Sequence, residues 1–189
     1  MKKLLCLLSV VLISGCAHNI KVTPDQVAAS TQTKSKTVVG YYISNADKNL
    51  KSTTPGGGGD KVSYQLTKDM EYGFFSALND SYETVKVLET NHDVQKMKAD
   101  GINLVFEPKF TSTSSGSSLL IWPADKFSIT VQCKAYNQAG ELVLDKAFTG
   151  KGEATNSELL KNFALAANKA ATDVLAQVKK ELATNAALK

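Results

Sequence analysis

Between Phe127 and Ala135 every second residue is apolar: Phe127, Ile129, Val131, Cys133 and Ala135 alternate with Ser128, Thr130, Gln132 and Lys134. A period of two belongs to a strand with one face on a core and the other in water, so the chain must contain a sheet with something packed on one side of it. Asn137-Gln138-Ala139-Gly140 supplies a turn. Leu142, Leu144 and Phe148 then alternate within Glu141–Thr149, which predicts an antiparallel hairpin.

The covering layer is predicted from a different period. From Asn156 or Ser157, as cap, the stripe Leu160, Phe163, Ala164, Ala167, Ala170, Ala171, Val174, Leu175 and Val178 follows three- and four-residue spacing and reads as one long helix. Its alanines let it approach a sheet closely. A second helix is predicted over 63–81 from Leu66, Met70, Phe74, Ala77, Leu78 and Tyr82, with Ser63 as cap.

Thr37–Ser44, Thr84–Glu89 and Ile102–Phe110 read as further strands, the last with Pro108 at an edge or bend. Residues 91–100 read as a short helix capped by Asn91 and stopped by Gly101. Asn45–Asp60, with four consecutive glycines, and the Ser/Thr/Gly stretch Thr111–Ser118 read as loops. Tyr41, Tyr42, Tyr64 and Tyr72 are expected to pack amphipathically. This order predicts an α+β fold: a small mixed, mainly antiparallel sheet of about five strands with two main helices packed on one face. The single domain is expected to span 37–184, with 185–189 frayed.

The titratable residues give catalysis little to work with. His18 and His92 are the only histidines, so no His-rich metal site or Ser-His-Asp triad is predicted, and His92 beside Asp93 reads as part of a helix cap. Asp60, Glu71, Glu107 and Asp125 are scattered. The glycine run lacks the Gly-Lys-Ser/Thr ending of a phosphate loop. No catalytic residue, metal ligand or cofactor is predicted, and the chain is not expected to be an enzyme. All 22 basic residues are lysine. Without arginine's two-point donor, and with a net charge of +4 spread over separated lysines, a nucleic-acid partner is not expected.

The beginning of the chain carries its most specific motif. Residues 1–16 read MKKLLCLLSVVLISGC: two lysines, an apolar run from Leu4 to Ile13, small residues, then Cys16. The run falls short of the ~20 apolar residues that span a bilayer and has the layout of a secretory signal. Ile13-Ser14-Gly15-Cys16 resembles the lipobox of bacterial lipoproteins. The resemblance implies a signal peptide over 1–15, removed before Cys16, and diacylglycerol with acyl chains such as palmitate on that cysteine. Ala17, in place of aspartate, implies the periplasmic face of the outer membrane, with exposure at the cell surface as the other possibility. Residues 16–36 then read as the lipidated cysteine and a flexible polar tether. Cys133, the cysteine that remains, reads as a buried strand residue.

Leu119-Leu120-Ile121-Trp122-Pro123 carries the sole tryptophan. It reads either as the start of the next strand, with Trp122 in the core, or as a docking tip in which Leu120, Ile121 and Trp122 meet a partner.

Lipobox, polar tether, β-α-β unit, further strands and a closing alanine-rich helix together resemble YajG-like and transporter-auxiliary periplasmic lipoproteins. That resemblance implies a non-enzymatic accessory role with an envelope protein partner in transport, secretion or assembly. A lipid or small-molecule carrier and an envelope hydrolase are the alternatives.

Overall fold

The computed structural model describes residues 17–25, 33–57, 60–116 and 124–189. Cys16, Leu120, Ile121 and Trp122 therefore lie outside the described residues. The strands and helices are β1 (Ala17–Asn19), β2 (Ser35–Tyr42), α1 (Asn45–Asn49), β3 (Ser52–Gly57), β4 (Asp60–Tyr64), α2 (Leu66–Ser81), β5 (Tyr82–Leu88), α3 (Val94–Ala99), β6 (Leu104–Ser115), β7 (Lys126–Asn137), β8 (Leu142–Glu153), α4 (Asn156–Leu159) and α5 (Leu165–Thr184). They build the expected α+β architecture, but with two sheets. A five-stranded sheet has the order β5-β2-β6-β7-β8, and a smaller one the order β1-β4-β3. β2 runs parallel to both β5 and β6, whereas β6, β7 and β8 form an antiparallel meander.

The alternation in β7 does what its period requires. Ile129, Val131, Cys133 and Ala135 are fully buried or nearly so, and they meet Met70, Phe74 and Leu78 of α2 and Ala167, Ala170, Ala171, Val174 and Val178 of α5 in one core. The approach of α5 to β8 is closer than side chains allow. A methyl placed on Gly150 would lie 2.2 Å from the carbonyl oxygen of Ala170, and one on Gly152 would lie 2.0 Å from that of Ala166. Glycine in the strand and alanine in the helix let the two backbones touch. On the opposite face, α3 seals a small second cluster of Met97, Ile102 and Val105.

Several boundaries differ from the sequence reading. The stretch expected as a loop over 45–60 holds α1, with Ser44 accepting from the Asp47 amide, and the β3–β4 hairpin. The helix expected from Ser63 begins at Leu66, because Val62, Ser63 and Tyr64 are buried as strand β4. The Ser/Thr run counted as loop from Thr111 continues β6 as far as Ser115, paired residue by residue with β7. Hydroxyls do not break a strand whose neighbour supplies the ladder. Asp93, not Asn91, caps α3. Tyr72 is 74% exposed, unlike the buried Tyr41 and Tyr64, and Leu142 leaves the core at a bulge opposite Tyr136.

The final helix is broken. Thr155 caps α4 in a reciprocal capping box with Glu158, the chain turns out through 160–164, and α5 starts afresh at Leu165. Leu160 and Phe163, counted in the buried stripe, are instead 77% and 46% exposed. The C-terminus does not fray. Residues 186–188 form a 3-10 turn, Leu188 is fully buried, and the Tyr82 hydroxyl donates to its carbonyl at 2.9 Å.

The tether is corrected in the same way over 17–25. β1 pairs in parallel with β4, the Ile20 amide donates to Ser63, and Val22 is fully buried with its amide on Asp69. The amides of Thr23 and Asp25 then donate to Asn168 and Thr172 of α5. A polar composition concealed a strap held by its backbone amides together with the buried Val22 side chain.

Gly150→Ala is expected to lower the free energy of unfolding by about 3 kcal/mol, since the clash is with backbone and α5 must move away. Lys151→Ala, next to it but facing solvent, should change it by less than about 0.5 kcal/mol. Urea denaturation followed by circular dichroism measures both. The Glu158 carboxyl is held down at about 2 by the Thr155 amide, then by the Thr155 hydroxyl and Lys169. Its contribution is therefore complete above the unfolded value of about 4.3 and fades as pH falls through the folded one. An NMR titration of the Glu158 carboxyl carbon should show that low midpoint.

Candidate functional site

Among the described residues, no element covers the outer face of three strands of the larger sheet. Along β6, β7 and β8 the outward positions form rows fixed by register, Lys109–Gln132–Ala147, Thr111–Thr130–Thr149 and Thr113–Ser128–Lys151. Thr130 and Thr149 are bonded through their hydroxyls at 2.9 Å. This face is polar and neither acidic nor basic overall.

A cleft opens in it where β2 ends. β2 pairs with β6 only from Leu104 to Phe106, so β6 has lost that neighbour by Glu107 and Pro108. The expected edge character of Pro108 is borne out, since a residue without an amide proton stands where no ladder is needed. The notch encloses about 340 Å³ and is lined by Tyr42, Ser44, Asp47, Glu107, Lys109 and Lys134, among others. It lies near the low end of the roughly 300–1,000 Å³ typical of small-molecule sites, and polar side chains share its lining with Tyr42, Ile43 and Pro108, where such sites are predominantly apolar.

At its rim stands the clearest cluster of functional groups. Glu107 accepts from the His92 backbone amide at 3.1 Å and lies 2.7 Å from His92 Nδ1. The imidazole stacks on Tyr136, with ring centroids 3.6 Å apart and planes 7° from parallel. His92 is thus not the cap partner of Asp93 that its sequence position implied. Carboxylate and aromatic ring hold it in one orientation. Such an arrangement can relay or accept a proton, or present a fixed donor to a ligand.

Asp60, Glu71 and Glu107 each meet a different partner. Asp60 lies 3.1 Å from His18, and Glu71 accepts from Lys48 at 2.7 Å and from the Tyr41 hydroxyl at 3.2 Å. Burial and then the Glu71 charge push the Tyr41 hydroxyl up to about 12. Glu107 takes His92, and the Asp125 carbonyl accepts the Ala154 amide. Among the described residues, no group of three or more His, Cys, Asp or Glu could hold a metal ion. Cys133 is the buried strand residue that its alternation predicts, and burial raises its thiol to about 12.

A second region gathers around the start of β1. Ala17 pairs with Lys61, Lys61 with Pro55, and the Pro55 carbonyl accepts from Ser114. Ser114 pairs with Phe127, Phe127 with Gly152, and Gly152 packs on Ala166. One end of the molecule therefore holds the first residue of β1, the β3–β4 turn and the entry to α5. Exposed Leu160 and Phe163 belong to it. The sequence contained no periodic signal for this end, because strand registers define it.

No family model matches the chain, and no curated protein matches its sequence. Solved structures similar to it include a Xanthomonas campestris protein of the DUF330 family, with TM-score 0.47 and 12% identity over 89% of this chain and 93% of that one. Another is a Helicobacter pylori protein assigned as a neuraminyllactose-binding hemagglutinin homolog, with TM-score 0.47 and 12% identity over 87% and 93%. A third, assigned as a lipoprotein of Caulobacter crescentus CB15, has TM-score 0.35 and 10% identity over 69% and 86%.

Cys133 in the folded protein is expected to resist a soluble disulfide reagent and to react only on unfolding, because the thiolate is the attacking species. His92→Ala should cost about 1–2 kcal/mol, since it removes the stack on Tyr136 and a partner of the half-buried Glu107. Chemical denaturation checks the second, absorbance of the released thiol the first.

Proposed function

We propose that the chain is a lipid-anchored envelope lipoprotein on the periplasmic face of the outer membrane, where it serves as a non-enzymatic accessory that binds a protein partner of a transport, secretion or assembly system. The observation that carries this reading is Ile13-Ser14-Gly15-Cys16 behind a charged apolar leader, ending one residue before β1. No helix among the described residues is long and apolar enough to cross a membrane, so the proposed attachment is the lipid. Two or three acyl chains, at ~0.8 kcal/mol per buried methylene, suffice to hold a domain at a bilayer. The lipid would raise the domain's effective concentration near membrane partners, and the polar sheet face that no described element covers is the surface proposed to meet them.

The carrier reading receives less support. A ligand held between sheet and helices needs room there, and Phe74, Phe106, Ile129, Val131 and Val174 are packed in that layer without exposure. For a hydrolase the supporting arrangement would be converging carboxylates or a Ser-Lys pair in a cleft; Asp60, Glu71 and Glu107 each meet a separate basic partner, and Ser44, which shares the notch with Lys109 and Lys134, donates its hydroxyl to Asp47 instead.

Crosslinking of the lipidated protein in its own envelope, followed by mass spectrometry, tests the proposal, with Cys16→Ala as control. A membrane-machine protein recovered with the wild type and lost with Cys16→Ala is the expected result. Co-purifying lipid or small molecule without a protein partner would replace this reading by the carrier. Trp122 adds a local test of the docking tip: red-shifted, quencher-accessible emission is expected for a tip, blue-shifted and protected emission for a core residue.

A further inference from the structure

The strap over 17–25 bears on how an anchor at Cys16 would hold the domain. A flexible tether of about 20 residues would let it wander roughly 25 Å from its attachment. Here Cys16 is one peptide unit, about 3.8 Å, from a residue registered on Lys61. His18 Nε2 lies 3.1 Å from Asp60, and the strap continues through Ile20, Val22, Thr23 and Asp25 onto β4, α2 and α5. No slack remains between the acylated residue and the fold.

We propose that the β1 end of the domain rests directly on the bilayer, with Leu160 and Phe163 entering the headgroup region as a second contact beside the lipid. This deepens the lipoprotein reading and depends on acylation of Cys16. The occupant is a phospholipid surface because the chain outside the described residues ends there in the lipidated cysteine. The strand registers, joined between the two sheets by the Ser114 hydroxyl on the Pro55 carbonyl, run from Ala17 to Ala166 and place the α4–α5 connection at the same end. Leu160 and Phe163 are apolar side chains on that connection, 77% and 46% exposed, and Lys161 between them can reach a phosphate. Acidic and basic groups otherwise alternate there, as in Lys126–Glu153 at 3.9 Å, so contact should depend little on the share of anionic lipid. The turn after Asn137 stands at the far end, since β7 runs from Lys126 to Asn137, roughly 36 Å at the rise of a strand.

The test uses full-length lipidated protein in vesicles of phosphatidylethanolamine and phosphatidylglycerol containing a spin-labelled lipid. A fluorophore is placed in turn at Lys61→Cys, Lys161→Cys and Gln138→Cys, and its quenching is read. Quenching several-fold stronger at positions 61 and 161 than at 138 is expected, with little change as the phosphatidylglycerol share is varied. Leu160→Ser combined with Phe163→Ser should drop position 161 to the level of 138 and leave position 61 quenched. Equal quenching at all three positions overturns the fixed orientation, and an undiminished signal at 161 in the double variant overturns the second contact. So does weak quenching at 161 in the wild type, the result expected if Leu160 and Phe163 dock a protein instead. Intact mass separates the two levels: protein without acyl chains overturns the lipoprotein reading itself, whereas acylated protein with equal quenching overturns only the orientation.

Discussion

The position of α5 against β8 sets most of what surrounds it. With Gly150 and Gly152 in the strand facing Ala166 and Ala170 in the helix, backbone meets backbone, and the helix has one depth and one rotation available. That rotation points Val174, Leu175 and Val178 into the core, where α2 supplies Met70, Phe74 and Leu78. It also brings Lys179 to Asp80 at 2.5 Å, which ties the two helices together near their C-terminal ends. The same rotation presents Asn168 and Thr172 to the amides of Thr23 and Asp25. The placement of the N-terminal strap therefore follows from two glycines more than a hundred residues away.

Elements governed by a single period were readable in the sequence. The β7–β8 hairpin, the core stripe of α2 and the second half of the α5 stripe stand where alternation and three- or four-residue spacing place them. β1, β3 and β4 were not readable, because they are short and polar and are held by partners that periodicity does not report. Thr53 bonds Ser63, and Tyr64 bonds Thr54 and Ser112, hydroxyl to hydroxyl. Two further signals in the sequence mark features that periodicity does not report. Thr155-x-x-Glu158 is a capping box and fixes where α4 begins. Gly150-Lys151-Gly152 places glycines at a strand's period on the face toward an alanine-rich helix, a mark of backbone contact.

The His92–Glu107–Tyr136 cluster shows why the site was less legible than the fold. His92 and Glu107 are fifteen positions apart, on opposite sides of α3, and Tyr136 arrives from β7. Nothing in their local context distinguishes them from a solvated histidine, a strand carboxylate and a strand tyrosine. Their meeting follows from β6 and β7 lying in register while the loop before α3 folds back over them. Residue types were enough to set aside many metal and triad chemistries, but convergence of side chains is a property of topology.

The strap would also change what an anchor at Cys16 does in energetic terms. A domain on a long linker loses rotational freedom when it docks with a membrane-bound partner, and that loss opposes binding. With Cys16 acylated and β1 built into the fold, much of this freedom would be lost once, on insertion, and each later encounter would begin with the domain already oriented. The uncovered face of β6, β7 and β8 would then stand at a constant angle to the bilayer. A polar face of threonines and balanced charges offers little affinity for a partner met at random. Presented repeatedly in one orientation at a high local concentration, the same face can contribute specificity, because its hydrogen-bonding groups are held by strand register and need no ordering on contact.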